Sequence, residues 1–353
     1  MSLLTILDDW WAREAAALVV HDVPASAVQP AGDTGTVCRA GVDYFRIWLA
    51  EMRLARDREW FATRHPAVHV LVRLRFGDAD EEFPIVAGPM SLPGLDQAHL
   101  GDVVQLDHLL TPLLPHNGGV VEIAAGLLAL EGTSAVKEVV RAVETMGAVL
   151  AAPPLSTAVA AAGALGSALQ VLLGAAAGRQ HLGVHLSYAG AQAPKALHAG
   201  YVAILRQGAS ALEARDLSVQ QGRLHLRGAP VTGLDYMLLR IERVEERDDW
   251  RALSAIDAPF REAQAALAYG NEAMAKAFMS RALLEALHSK DLTETDRRRV
   301  SSELRKAWDD SRNQGLGLER SSSSLADAMA LAVPVSRFVH TAAASAEALL
   351  SLD

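Results

Sequence analysis

One long segment of the sequence carries no charged side chain, and it limits the folds that this chain can adopt. The stretch from Thr145 to Gly178 consists of apolar and small polar residues and is rich in alanine and glycine. Water solvates such a segment poorly, so it belongs in a protein core, in an interface between chains or in a membrane. Pro153 and Pro154 divide it, because proline ends a helix. We therefore expect an apolar helical hairpin at about 133–178.

The sequence on both sides of this hairpin alternates with the period of a β-strand. Val68–Phe76 and Leu182–Tyr188 place an apolar residue at every second position, which is typical of a strand with one buried face. Weaker patterns predict further strands at 43–54, 82–87, 103–110, 120–130, 201–206, 224–226 and 235–244, with a hairpin turn at 227–230. The chain is therefore expected to leave the sheet at about 132 and to return to it at about 180. This pattern predicts an α+β fold with a β-sandwich-like body and an inserted apolar helical hairpin.

The ends of the chain differ from this body. Residues 3–20 have the spacing of an amphipathic helix, and residues 22–42 are rich in proline and glycine, which favours irregular structure. Past residue 250 the pattern is helical, and Thr293 with Asp296 resembles a capping box. The predicted organisation is an N-terminal segment at 1–42, a β-rich domain at 43–250 and a helical C-terminal region at 251–353 with a flexible linker at about 314–324.

Composition excludes several classes of protein. The formal net charge is −9, with 33 basic and 42 acidic residues, and a nucleic-acid-binding surface needs clustered basic residues instead. The single cysteine, Cys38, excludes an intramolecular disulfide and a multi-cysteine metal site. Acidic residues interrupt the N-terminal segment, so we expect no secretory signal. The sequence predicts a cytoplasmic protein without cofactor or nucleic-acid partner. If the apolar hairpin contacts a membrane, the protein would be peripheral to that membrane.

Sequence motifs of the common enzyme classes are absent, although an active site that assembles in space leaves no motif. A hydrolase of that kind would use Cys38, beside the cation Arg39, or the histidines His65, His69 and His116. The cluster Asp78, Asp80 and Glu81 is a candidate calcium site, because carboxylates on a loop are calcium ligands. A solvated turn accounts for the same three residues.

Two apolar groups are candidate interaction or membrane elements. One lies in the second half of the predicted hairpin and the other in the N-terminal segment; the residues are Leu165, Leu169, Val171, Leu172, Leu173, Trp10 and Trp11. Close helix packing is favoured by the small residues between the leucines. Alanine, serine and glutamine make the segment a weak membrane inserter, which favours packing within the fold or within an assembly.

The combination of a β body, an uncharged helical insert and a charged helical tail resembles components of bacterial multi-protein conflict systems. This resemblance favours a defence-related role. We expect a non-catalytic interaction or assembly protein that binds a protein partner or forms a homo-oligomer. A conditional membrane-inserting effector and a hydrolase with a dispersed site are the two alternatives.

Overall fold

The computed structural model describes residues 18–53, 64–87, 104–131, 180–188, 195–206 and 212–318. Its strands are β1 (Leu18–Asp22), β2 (Val28–Gln29), β3 (Tyr44–Arg53), β4 (Arg64–Phe76), β5 (Ala79–Ala87), β6 (Val104–Leu109), β7 (Leu114–Pro115), β8 (Val121–Glu131), β9 (Gln180–Tyr188), β10 (Gly200–Arg206), β11 (Leu217–Gln220), β12 (Arg223–Leu226), β13 (Ala229–Pro230) and β14 (Tyr236–Val244). Its α-helices are α1 (Ser254–Ala268), α2 (Glu272–His288) and α3 (Glu294–Leu318). The mixed α+β class is confirmed, with the helices following the strands.

The strands form three sheets, two of which pack on opposite faces of the third. The central sheet has the order β1-β10-β14-β3-β6, with β7 also paired to β3. The long-strand sheet has the order β5-β4-β8-β9, and the short-strand sheet β13-β12-β11-β2. One hydrophobic core joins the central and long-strand sheets, and a second joins the central and short-strand sheets. The central sheet therefore buries side chains on both faces.

A β-bulge in β3 lets one strand serve both cores. Phe45, Ile47 and Leu49 alternate toward the long-strand sheet. The register with β14 then shifts, so that Leu239 pairs with Leu49 and Leu238 pairs with Glu51. Ala50 joins the other core. The Glu51 carboxylate accepts a hydrogen bond from the backbone N–H of Leu224 in β12, at 2.7 Å, so the bulge also ties the short-strand sheet to β3.

The long-strand sheet is buried on its outer face as well as on its core face. Val68 and Val70 of β4 belong to the core shared with the central sheet. His69 and Leu71 alternate with them and therefore point away from that core, yet both are 0% exposed. Ala124, which pairs with Leu71 from β8, is also fully buried. Complete burial on both faces requires a cover on both faces.

His69 is held against a glycine on this outer face. Burial lowers the pKa of His69 from 6.5 to about 4, so the imidazole is neutral at pH 7. Its ring lies over Gly126 of β8, where an added Cβ would overlap Nε2 of His69. A side chain larger than hydrogen at position 126 therefore has no room while the imidazole is present.

We expect Gly126→Ala to lower the free energy of unfolding by about 1–3 kcal/mol, the usual cost of overpacking a core. Adding His69→Ala to Gly126→Ala is expected to recover part of that loss, since it removes the overlapping ring. Urea denaturation of the wild type, the two single variants and the double variant completes the cycle. Strictly additive effects would show that the two side chains do not compete for the same space.

The start of α3 is anchored to β3 by a buried tyrosine. Thr293 caps the helix, with Oγ1 accepting the N–H of Asp296 at 3.3 Å. Only this half of the predicted capping box forms. The Tyr44 hydroxyl accepts the N–H of Thr293 at 3.0 Å, and it donates to the Asp296 carboxylate at 2.8 Å. In a complete capping box the Asp296 carboxylate would accept the N–H of Thr293 directly. Here the Tyr44 hydroxyl lies between the two groups and bridges them.

The chain divides into two compact units, whose boundaries cross the three helices. The first comprises Met1–Ala258 and Ala282–Ser301, and the second comprises Pro259–Arg281 and Ser302–Asp353. In the second unit, Phe260, Met279 and Trp308 are among the buried apolar side chains. Gln264 also donates a hydrogen bond to the Ser311 hydroxyl there, at 3.1 Å.

The structure corrects three details of the sequence prediction. Leu18, Val19 and Val20, assigned to the N-terminal helix, belong to β1, because pairing with β10 supplies a full hydrogen-bond ladder to residues with strong β preference. In the predicted turn at 227–230 only the first two residues turn, and the last two form β13. Helix α3 continues to Leu318 and so includes the first residues of the predicted linker at 314–324. The segment at about 133–178, for which the sequence predicts a helical hairpin, lies outside the described residues.

Candidate interaction surface

The open part of the central sheet carries a compact group of aromatic and charged side chains. Trp48 of β3 pairs with Arg240 of β14, and Arg46 pairs with Glu242 in the adjacent register. All four alternate with core residues and therefore lie on the face away from the long-strand sheet. We call this group, Arg46, Trp48, Arg240 and Glu242, the Trp48 platform. Each of its side chains is partly exposed.

The geometry of the platform is defined by Glu242. Its carboxylate accepts two hydrogen bonds from Arg46, at 2.7 and 2.9 Å, and one from the indole N–H of Trp48, at 2.5 Å. Burial raises the pKa of Glu242, but the hydrogen bonds and charge of Arg46 outweigh burial and hold that pKa below its usual value. Glu242 is therefore ionised at neutral pH and is fully engaged within the platform.

Both guanidinium groups lie over the indole ring. The Cζ atoms of Arg46 and Arg240 are 5.1 and 4.7 Å from the ring centre of Trp48, within the range of cation–π attraction. Stacking restricts the arginine side chains, so less conformational entropy remains to be lost when the surface binds. The platform is consequently a preorganised surface.

The same row of the sheet extends the platform on both sides. Tyr201 of β10 pairs with Arg240, and Leu109 of β6 pairs with Trp48. Directly paired residues share a face, and both of these side chains are partly exposed. Farther along this face, Ala203, Leu205 and Leu238 are buried against the short-strand sheet. The row thus forms a mixed apolar and cationic surface beside the covered part of the sheet.

A buried carboxylate lies at the end of the central sheet. Asp43 is 0% exposed and accepts the backbone N–H of Arg39 at 2.6 Å and the Nη2 group of Arg39 at 2.9 Å. Nη2 of Arg243, on β14, donates to the same carboxylate at 3.0 Å. Nη1 of Arg243 donates to Asp33 at 3.1 Å. This network fastens the segment before β3 to β14.

Cys38 and His116 both lie near this carboxylate. Burial, together with the smaller effect of the Asp43 charge, raises the pKa of the Cys38 thiol from 9.0 to about 12. Burial lowers the pKa of His116, against the opposing effect of Asp43. Among the described residues no hydrogen bond joins Cys38 to His116. A buried, protonated thiol is a weak nucleophile, so the geometry favours a structural role for Cys38.

The other candidate histidines are dispersed. His69 is buried in the long-strand sheet, and the side chain of His65 lies outside the described residues. His185 of β9 is 3.6 Å from the Glu122 carboxylate on the outer face of that sheet. Within the part of the chain that the structure describes, no three histidine, cysteine or acidic side chains are arranged to hold a metal ion.

The acidic turn separates its carboxylates. Asp78 lies in the two-residue turn between β4 and β5, and Asp80 and Glu81 follow in β5. Neighbouring residues of a strand point to opposite faces, so Asp80 and Glu81 diverge. Asp80 also lies 3.5 Å from Arg73 in an ion pair. This geometry favours a solvated, charge-paired turn over a calcium site.

A polar cleft of about 460 Å³ lies on the short-strand sheet. It is lined by Gln29, Pro30, Gln220, Gln221, Arg223 and His225. Its volume is within the range of small-molecule sites, but such sites are mostly lined by apolar and aromatic side chains. All of the lining except His225 is exposed, and all of it except Pro30 is polar, which makes the cleft a weaker candidate than the Trp48 platform.

The predicted interaction residues Leu165, Leu169, Val171, Leu172, Leu173, Trp10 and Trp11 lie outside the described residues. No helix in the described ranges is both long and apolar enough to cross a bilayer. Comparison of the chain with models of known families, with curated proteins and with solved structures gives no match.

The sequence prediction did not include the Trp48 platform. One signal was present: Trp48 and Arg46 occupy the side of the alternating pattern opposite Phe45, Ile47 and Leu49. A large aromatic residue on the polar side of a strand is unusual and indicates either a second core or a binding surface. The partners Arg240 and Glu242 depend on the register of β14, which the sequence does not reveal.

Proposed function

We propose that this chain is a non-catalytic interaction or assembly protein of a bacterial multi-protein system, with defence as the setting that the sequence architecture favours. The Trp48 platform carries this proposal. Tryptophan, tyrosine and arginine dominate the binding energy of protein interfaces, and all three residue types meet here on one partly exposed row. The partner is a second protein or another copy of the chain.

The environment of Cys38 supports a non-catalytic role over the alternative of a dispersed hydrolase. Its pKa of about 12 leaves almost no thiolate at neutral pH. Its side chain is also buried at 1% exposure, so a substrate would have to open the core to reach it. The platform, in contrast, presents its charged and aromatic groups without rearrangement.

We further infer that the uncharged segment 145–178 forms a helical hairpin that covers the outer face of the long-strand sheet. His69, Leu71 and Ala124 support this, because all three are completely buried on that face. Connectivity also supports it: the segment lies between β8 and β9, which are neighbours in this sheet. In this proposal the hairpin stabilises the body that presents the platform, while membrane insertion is the competing role.

We expect Trp48→Ala to weaken binding of the natural partner by at least about thirtyfold, because truncating a hot-spot tryptophan costs about 2 kcal/mol or more. Tagged wild-type protein purified from the cells that make it should retain a stoichiometric partner or sediment as an oligomer. The variant should lose this species while its thermal unfolding stays cooperative.

Tyr269→Ala is the matched control, since Tyr269 is 88% exposed and lies outside the sheets. It should leave the associated species unchanged. A wild type that sediments as a monomer and retains no stoichiometric protein would contradict the proposal, and so would a folded Trp48→Ala variant with undiminished association.

A further inference from the structure

We infer that Arg240 is the recognition point for a carboxylate side chain of the protein partner. This inference rests on the proposed function and specifies the partner's chemistry. Glu242 is occupied by Arg46 and by the indole N–H of Trp48. The Arg240 guanidinium stacks on the same indole, and its Nε atom has no hydrogen-bond acceptor among the described residues. Its charge helps to lower the pKa of Glu242, but the hydrogen bonds to that carboxylate come from Arg46 and Trp48. The platform thus contains two guanidinium groups and a single carboxylate, which is hydrogen-bonded to Arg46.

Although the Arg240 side chain is partly exposed, one of its polar atoms is already buried. Its Nε atom is inaccessible to solvent and has no acceptor among the described residues. A partner that covered the platform with apolar groups alone would remove the remaining water from a cation without replacing it, which is strongly unfavourable. A carboxylate compensates that loss, because its two oxygens match the guanidinium in a bidentate pair.

The neighbouring residues define the context of this carboxylate. Tyr201 and Leu109 extend the row on either side of Arg240 and Trp48. The partner is therefore expected to present an aspartate or glutamate flanked by apolar side chains. A nucleic acid is the less suitable ligand, because its repeated phosphates require a cluster of basic residues and the chain has a net charge of −9.

The test uses the full chain and two short peptides, acetyl-Leu-Glu-Leu-amide and acetyl-Leu-Gln-Leu-amide. Nitrogen-15 NMR follows two signals, the indole N–H of Trp48 and the Nε–H of Arg240. Each signal is assigned from the variant that lacks it, Trp48→Phe for the indole and Arg240→Gln for the guanidinium. The glutamate peptide should shift both signals with an affinity at least about tenfold above that of the glutamine peptide. Arg240→Gln should abolish the difference between the peptides.

Arg206→Gln is the matched control, because Arg206 lies on the neighbouring strand β10 and is paired with Asp235 at 3.5 Å. It should leave both titrations unchanged. Equal binding of the two peptides, or stronger binding of a short oligothymidylate at the same signals, would overturn the carboxylate assignment. If the wild type still retains its protein partner in that case, the proposed function stands and only the recognition chemistry fails.

Discussion

Replacing Asp43 with asparagine is expected to lower the free energy of unfolding by about 3 kcal/mol, near the lower end of the range for breaking a buried ion pair. Asp43 is fully buried, and the Arg243 side chain beside it is only 7% exposed. The variant would leave this nearly buried cation without its central anion. Arg243 retains Asp33 and Glu245 as partners, which keeps the loss from being larger.

Asp33→Asn provides the matched control for this experiment. Asp33 also pairs with Arg243, at 3.1 Å, but its side chain is 49% exposed. Exposed ion pairs contribute up to about 1 kcal/mol. Urea denaturation at neutral pH should therefore separate the two variants clearly, and equal effects would show that burial does not determine the strength of the Asp43 network.

The effect of Asp43→Asn should also depend on pH. Burial raises the pKa of Asp43, but hydrogen bonds from Arg39 and Arg243 outweigh it, so the pKa in the folded protein is below the ordinary value of 3.8. A lowered carboxyl pKa stabilises the folded state above the unfolded pKa, and this contribution is lost as the pH falls through the folded pKa. The difference between wild type and variant should be constant near pH 7 and shrink in acid.

The second large effect is expected from Leu169→Asp combined with Leu172→Asp. If the uncharged segment covers the long-strand sheet, each substitution removes about 1.5–3 kcal/mol of apolar burial and adds the cost of placing a charge in the core. Two such losses approach the whole stability of a typical domain. We expect the variant to be largely unfolded, and we expect the wild type not to float with liposomes.

Leu284→Asp on α2 is the matched control, because Leu284 is 57% exposed and its substitution should change stability little. Circular dichroism and liposome flotation of the three proteins distinguish the two roles of the segment. A wild type that floats, together with a folded double variant that does not, would overturn the core-packing role in favour of a membrane effector.

Local patterns in the sequence predicted the elements of the fold better than their pairing. The alternation in Val68–Phe76 and Leu182–Tyr188 identified β4 and β9, because each strand has one face in the same core. The long helical periods after residue 250 likewise identified the helices. The two-residue strands β2, β7 and β13 are too short to show a period, and they exist only through their partners.

The contacts within the Trp48 platform depend on strand pairing and register, which the sequence does not reveal. Arg46 and Glu242 are separated by 196 positions along the chain, and their contact follows from the register of β14 against β3. The bulge at Ala50 changes that register within the same strand pair. Residue types therefore suggested an unusual Trp48, but tertiary pairing determined which charges surround it.

The position of β14 has a consequence for how the molecule is made. It is the last strand of the central sheet in chain order, yet it lies between β10 and β3. The pairs β1–β10 and β3–β6 can form earlier, but a ribosome must complete residue 244 before β14 can join them into one sheet. Because Arg240 and Glu242 are themselves in β14, a chain that ends before this strand lacks half of the Trp48 platform, and a partner that recognises these two residues would bind only chains that include β14.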